Sequence, residues 1–155
     1  MVMLPITLEE SLPQKLYSAT QVLANEASIA QSQAIAMADL MEQAGLAVFE
    51  HIQVHYPSKQ KLLVICGKGN NGGDGFVIAR LAQLAGMQVT VYLLADSEQV
   101  IGDALIAFEK LKQSKVDIIY QAEQLTAELF AENNFELIVD AIFGIGFKGE
   151  LTGKI

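Results

Sequence analysis

The sequence predicts an α/β fold in which helices cover both faces of a parallel sheet, and three observations carry the prediction. Continuous apolar runs of strand length recur at 61–66 ("KLLVIC"), 88–95 ("QVTVYLLA"), 117–121 and 135–144 ("FELIVDAIFG", with 136–141 as its strand). Such runs belong to strands buried on both faces. Stretches with apolar residues at helical spacing separate them, and that alternation implies parallel strands joined by crossover helices. A cluster of glycines then follows directly on the first run, where a strand must turn into a helix.

Taken in order, residues 19–30 read as a short helix followed by the polar break "AQSQ". Met37, Leu40, Met41, Ala44, Val48 and Ile52 step by three and four, giving an amphipathic helix that ends near His55, before Pro57. Its stripe is expected to pack on the sheet. After the first strand and the glycine loop, a helix is expected from Gly75 or Phe76, with Val77, Leu81 and Leu84 inward, Arg80 and Gln83 outward and Gly86 at its end. Ile101, Ala104, Leu105, Phe108 and Leu111 mark the next helix, and residues 123–132 a shorter one before the fourth strand. The whole reads as a Rossmann-like doubly wound sheet. After the fourth strand the chain runs "GIGFKGELTGKI" without a closing helix, so the fold is expected to be C-terminally truncated, a single domain over 1–155 with its end missing.

Composition narrows the function. Half the chain is apolar (52%), which argues for a packed core, and no apolar run approaches the length of a membrane span. The start turns acidic without a basic region, unlike a signal peptide. The single cysteine, Cys66, excludes an internal disulfide, fits a reducing, cytoplasmic setting, and reads as inert packing at the end of a strand. The formal charge is −8, with nine lysines and one arginine, Arg80, and no basic face of the kind nucleic acid requires. An anionic ligand must therefore be held by backbone N–H groups, a helix terminus or a metal. His51 and His55 share a helix face at a spacing zinc uses, but with no third ligand a solvated helix end is the better reading.

Gly67, Gly69 and Gly72 spell GxGxxG, the turn of a dinucleotide-binding dehydrogenase, and Asp96 ends the second strand where such enzymes place a ribose-binding acid. The residues that follow argue against that enzyme. Gly73-Asp74-Gly75 delays the expected helix, and Asp74, placed to cap it, would repel a pyrophosphate on the same terminus. A wider loop is the better design, with the amides of Asn70 and Asn71 and the backbone of Gly72–Gly73 receiving the anion. A second glycine loop leaves the fourth strand: Asp140, then Gly144, Gly146 and Gly149 with Lys148 among them. Singly, Asp140 is a loop cap and Lys148 a solvated lysine. Two glycine loops at one edge of a sheet can enclose a ligand.

"GKGNNGGDGFVIAR" followed by "VDAIFGIGFKGEL", with the lead-in "LMEQAG" at 40–45, resembles the NAD(P)H-hydrate epimerase domain, the YjeF N-terminal family. The resemblance implies an isomerase of metabolite repair. Its substrate is NADH or NADPH hydrated on the nicotinamide ring, whose two epimers it interconverts, and an ADP- or ATP-dependent dehydratase, fused downstream in many bacterial proteins, completes the repair. By the same resemblance Asn70, Asn71, Gly72, Gly73 and Asp74 form one substrate loop, and Gly144, Ile145, Gly146, Phe147, Lys148, Gly149 and Glu150 the other. Asn71 and Asp140 ligate a potassium ion. Asp140 is also the candidate for proton transfer, with Lys148 as a helper, although a carboxylate bound tightly to a cation is a poor base. The family continues into a further strand and a D-x-P-S-G turn supplying another aspartate and a cation-binding serine, and the sequence stops at Ile155 before any such motif. The 155-residue chain by itself is therefore expected to bind weakly and turn over little. A non-enzymatic scaffold of the same fold and a general nucleotide-binding module are the alternatives, and homo-oligomerisation is left open.

Overall fold

The computed structural model describes residues 17–120 and 126–147. Their elements follow in the order α1 (Ala19–Ser32), α2 (Met37–His55), β1 (Lys61–Cys66), α3 (Asn70–Leu84), β2 (Gln88–Leu93), a 3₁₀ turn (Ser97–Gln99), α4 (Gly102–Gln113), β3 (Asp117–Ile119), α5 (Ala127–Asn133) and β4 (Leu137–Ala141). The four strands form one parallel sheet in the order β3-β2-β1-β4, with Leu62 beside both Val89 and Leu137. The chain thus winds outward from β1 to β3 and then returns to place β4 on the other side of β1. The seam between β1 and β4 is the topological switch point, and the loops leaving both strands open at its carboxyl end.

Period-2 alternation divides the sheet. Leu62, Val64, Cys66, Val91 and Leu93 face α3 and α4, joining Phe76, Val77, Ala104, Phe108 and Leu111 in the main core. Leu63, Ile65 and Tyr92 face the other way and meet Leu129 and Phe130 of α5, with Phe135 and Ile142. The helices therefore cover both faces, as expected.

Helix α3 lies directly on β1 and β4 because Gly75 has no side chain: a Cβ there would stand 2.6 Å from the Ala141 Cβ and 2.8 Å from the Cys66 Sγ. This contact also explains why α3 starts at Asn70 rather than at Gly75 or Phe76. Glycine in a helix costs up to about 1 kcal/mol relative to alanine, and here close packing on two strands offsets that cost. Gly69 is the N-cap, so Asp74 sits in the second turn and caps nothing.

Other differences follow from a third layer. Helix α2 packs chiefly on α3 and α4 rather than on the sheet. Its buried face is Met41, Gly45, Phe49 and Ile52, while Val48 turns to solvent. Because α2 covers the outer side of α3, Arg80 is drawn inward, where its guanidinium pairs with Glu42, which also accepts from Lys110 of α4. Leu84, expected inward, is exposed, because the sheet-facing positions of α3 run through Gly75, Phe76, Ala79 and Ala82. Ile101 is likewise exposed as the N-cap of α4, and Val100 is buried in its place.

Candidate functional site

A cavity of about 990 Å³ opens at the carboxyl end of the β1–β4 seam. Ligand sites of roughly 300–1,000 Å³ are typical of small molecules and cofactors. Gly67 to Asn71 form one wall, Ile142 to Phe147 the opposite one, and Met37, Leu40 and Met41 of α2 supply an apolar side. Glu26 of α1, Asp74 and Asp103 bring carboxyl groups to it, and Lys68 brings an ammonium.

The first wall is built by close approach of backbone to backbone. A Cβ on Gly72 would collide with the carbonyl oxygen of Gly67, and one on Gly67 with that of Ile142. The Gly67 N–H donates to the Ala141 carbonyl at 3.0 Å, tying the β1 loop to the end of β4. Two of the three GxGxxG glycines thus serve contact within the protein. The first intrahelical bond runs from the Gly73 N–H to the Gly69 carbonyl at 3.0 Å, leaving the amides of Asn70, Asn71 and Gly72 without helical partners. Gly69, Asn70 and Asn71 line the cavity, so this free helix terminus meets it with partial positive charge.

The second loop is held against the first. Asn71 and Gly144 lie in near contact, and Phe143 stacks at a tilt on Phe147 with ring centroids 4.3 Å apart. Of the residues expected to bind ligand, Asn70, Asn71, Asp74, Gly144, Ile145, Gly146 and Phe147 line the cavity. Gly72 and Gly73 are buried behind it, and Lys148, Gly149 and Glu150 lie outside the described residues.

Asp140 emerges at the same edge of the sheet as Asn71 but does not line the cavity. It stands level with Ile65 on the α5 face, and its Oδ1 accepts the Ile142 N–H at 3.0 Å, an Asx turn that starts the second loop. Asp74, partly buried like Asp103, brings its carboxyl group to the cavity wall. Burial, and then the charge of Glu26, push it up to about 6. A carboxyl with such a value exchanges protons near neutral pH. Burial pushes the Cys66 thiol well above its usual range, in keeping with an inert packing role. His51 and His55 stack in solvent with centroids 4.1 Å apart, and among the described residues no cluster of three metal-ligating side chains occurs.

Comparison with known proteins agrees with this architecture. Residues 37–155 match the family described as YjeF-related protein N-terminus. The chain belongs to this family. A bifunctional NAD(P)H-hydrate repair enzyme Nnr of Moorella thermoacetica is 42% identical over 120 residues, covering 74% of this chain and 22% of that protein. An NAD(P)H-hydrate epimerase of Roseobacter litoralis is 36% identical over 159 residues, covering 89% and 67%, and one of Levilactobacillus brevis is 39% identical over 115 residues, covering 74% and 50%. The crystal structure of the yeast protein YNL200c superimposes with a TM-score of 0.76 at 31% identity, covering 89% of this chain and 60% of that one. The chain thus spans about a fifth of the matched bifunctional enzymes and half to two-thirds of the matched epimerases. No helix among the described residues is long and apolar enough to cross a membrane.

Proposed function

We propose that this YjeF-related domain epimerises hydrated NADH and NADPH, delivering the usable epimer to a dehydratase. The observation that carries the reading is the cavity at the β1–β4 switch point, walled by two mutually packed glycine loops and open to the free amides of α3. The relatives named as NAD(P)H-hydrate epimerases support it, and the bifunctional ones support a fused partner.

The hydrated ring carbon bears a hydroxyl and a ring nitrogen. A base removes the hydroxyl proton, the carbon–nitrogen bond opens to an aldehyde, and the nitrogen takes up a proton. Rotation and reclosure on the opposite face return both protons and invert the centre, so no external reactant is consumed. In this reading the role in proton exchange passes from Asp140, which does not line the cavity, to Asp74, which does and whose carboxyl, raised to about 6, is ionised at neutral pH. Asn71 and Asp140, both at the carboxyl edge of the sheet, offer an amide oxygen and a carboxylate oxygen, hard donors that suit a potassium ion, which would add positive field at that edge. This division leaves the cation and the proton to different carboxylates.

The test is chromatographic. The full-length protein, given a single purified epimer of hydrated NADPH, should bring both epimers to equilibrium faster than buffer does. An unchanged ratio together with tight capture of a protein partner would replace the enzyme with a scaffold.

A further inference from the structure

We propose that Lys68 is the cation that receives a phosphate group of the dinucleotide, held ready for it by Gln99. The inference rests on the dinucleotide reading of the same cavity and adds the residue that would meet the ligand's charge.

The charge balance poses the problem. A dinucleotide brings a pyrophosphate, and its phosphorylated form a 2′-phosphate as well, to a protein of net charge −8. Three carboxyl-bearing residues, Glu26, Asp74 and Asp103, line the cavity, and Lys68 is the one basic residue among the described residues that do so. Its position is specific. Lys68 lies between Gly67 and Gly69, immediately before α3, so its ammonium and the unpaired amides of the first helical turn reach the cavity from one loop.

An exposed lysine is ordinarily disordered by its own rotamer entropy. Here the Nζ donates to the Gln99 Oε1 at 3.0 Å, while the Gln99 Nε2 donates to the Asp96 Oδ2 at 3.2 Å. The second bond orients the amide so that its oxygen faces Lys68. The arrangement also matters for charge. Asp96 would neutralise Lys68 in a direct ion pair, but a neutral amide between them leaves the ammonium two N–H groups for a phosphate. Gln99 is thus a positioning residue, and Asp96, which a dehydrogenase would turn on the ribose, is occupied in holding it.

Binding of ADP-ribose and of ADP-ribose 2′-phosphate to the full-length protein tests the assignment without requiring turnover. Lys68→Met should weaken binding roughly tenfold, the worth of one charge-assisted hydrogen bond. Lys68→Arg should retain most of the affinity, and Gln99→Leu should lose less than Lys68→Met. Lys59→Gln, at the opposite end of β1, should change nothing. Equal loss for both probes assigns Lys68 to the pyrophosphate, and loss confined to the second assigns it to the 2′-phosphate. Wild-type affinity of Lys68→Met for both probes overturns the inference. If the wild-type protein binds neither probe yet equilibrates the epimers, Lys68 loses its role and the epimerase reading stands. If binding depends on Lys68 and no epimerisation occurs, the reverse holds.

Discussion

A Cβ placed on Gly144 would stand 3.1 Å from the Cβ of Asn71, so the two loops that wall the cavity, already close at Gly67 and Ile142, are tight here as well. Gly144→Ala must push the loops apart or displace the Asn71 side chain. Because the contact lies at the exposed mouth of the cavity, the effect should fall on ligand binding, with KM rising roughly tenfold for a loss near 1.4 kcal/mol and thermal stability little changed. Measured KM and melting temperature check both halves.

Asp74 should be a stability liability at neutral pH. Its folded value of about 6 exceeds the ordinary 3.8. Between those values the native state holds a proton that the unfolded chain has released, so stability falls as pH rises through this window and the deficit is complete above it. Asp74→Asn should therefore stabilise the protein at pH 7 by about 1–2 kcal/mol, allowing for solvent screening of a half-buried group. Denaturation midpoints should converge towards pH 4. A destabilised Asn variant at pH 7 would contradict the burial argument.

The same carboxyl should set the acid limb of activity. With Asp74 as base, kcat/KM for epimerisation should fall tenfold per pH unit below about 6, and Asp74→Asn should lose the limb along with about 10²-fold or more of the rate. Asp140→Asn should weaken activation by potassium while leaving the limb in place. A limb that moves with Asp140 instead would transfer the proton to that residue.

Gly75→Ala should destabilise by about 1–3 kcal/mol, since its methyl would overpack the contact of α3 with Cys66 and Ala141. Cys66→Ala in the same chain removes one of the clashing atoms and should recover part of the loss. Additive losses in urea denaturation would show that the contact is not the cause.

Cys66 should resist thiol reagents in the folded protein, because it is fully buried and its thiolate is strongly disfavoured. Its labelling rate should follow unfolding, rising with denaturant in step with loss of helical signal.

The sheet was legible because buried parallel strands are written as continuous apolar runs. Its strand ends were less so: β2 closes at Leu93 rather than 95 and β3 at Ile119 rather than 121. The start of α3 was misplaced because glycine propensity opposes the helix locally, and only contact with Ala141, far along the chain, reverses the balance. The buried face of α2 was found at Met41 and Ile52 but missed at Gly45 and Phe49, since Gly45 looks like a gap in the stripe until Val77 is seen against it. In the site, the cavity-lining asparagines were readable from their motif. Asp140 was placed at the correct edge, but strand alternation carried the finer signal: in "LIVDA", residues 138 and 140 face away from 137, 139 and 141. The like-charge influence of Glu26 on Asp74, and the bond of Lys68 to Gln99, join separate elements and have no local signature.

The bond from Gly67 to the Ala141 carbonyl has a consequence in time. Strands β1 and β4 pair at positions some 75 residues apart along the chain. Such a distant pairing pays its loop-closure entropy late, after the local β1–α3–β2 contacts have formed. The cavity's two walls therefore come together only when β4 docks on β1. In a chain emerging from the ribosome the two walls stay apart until β4 and the loop after it have cleared the exit tunnel.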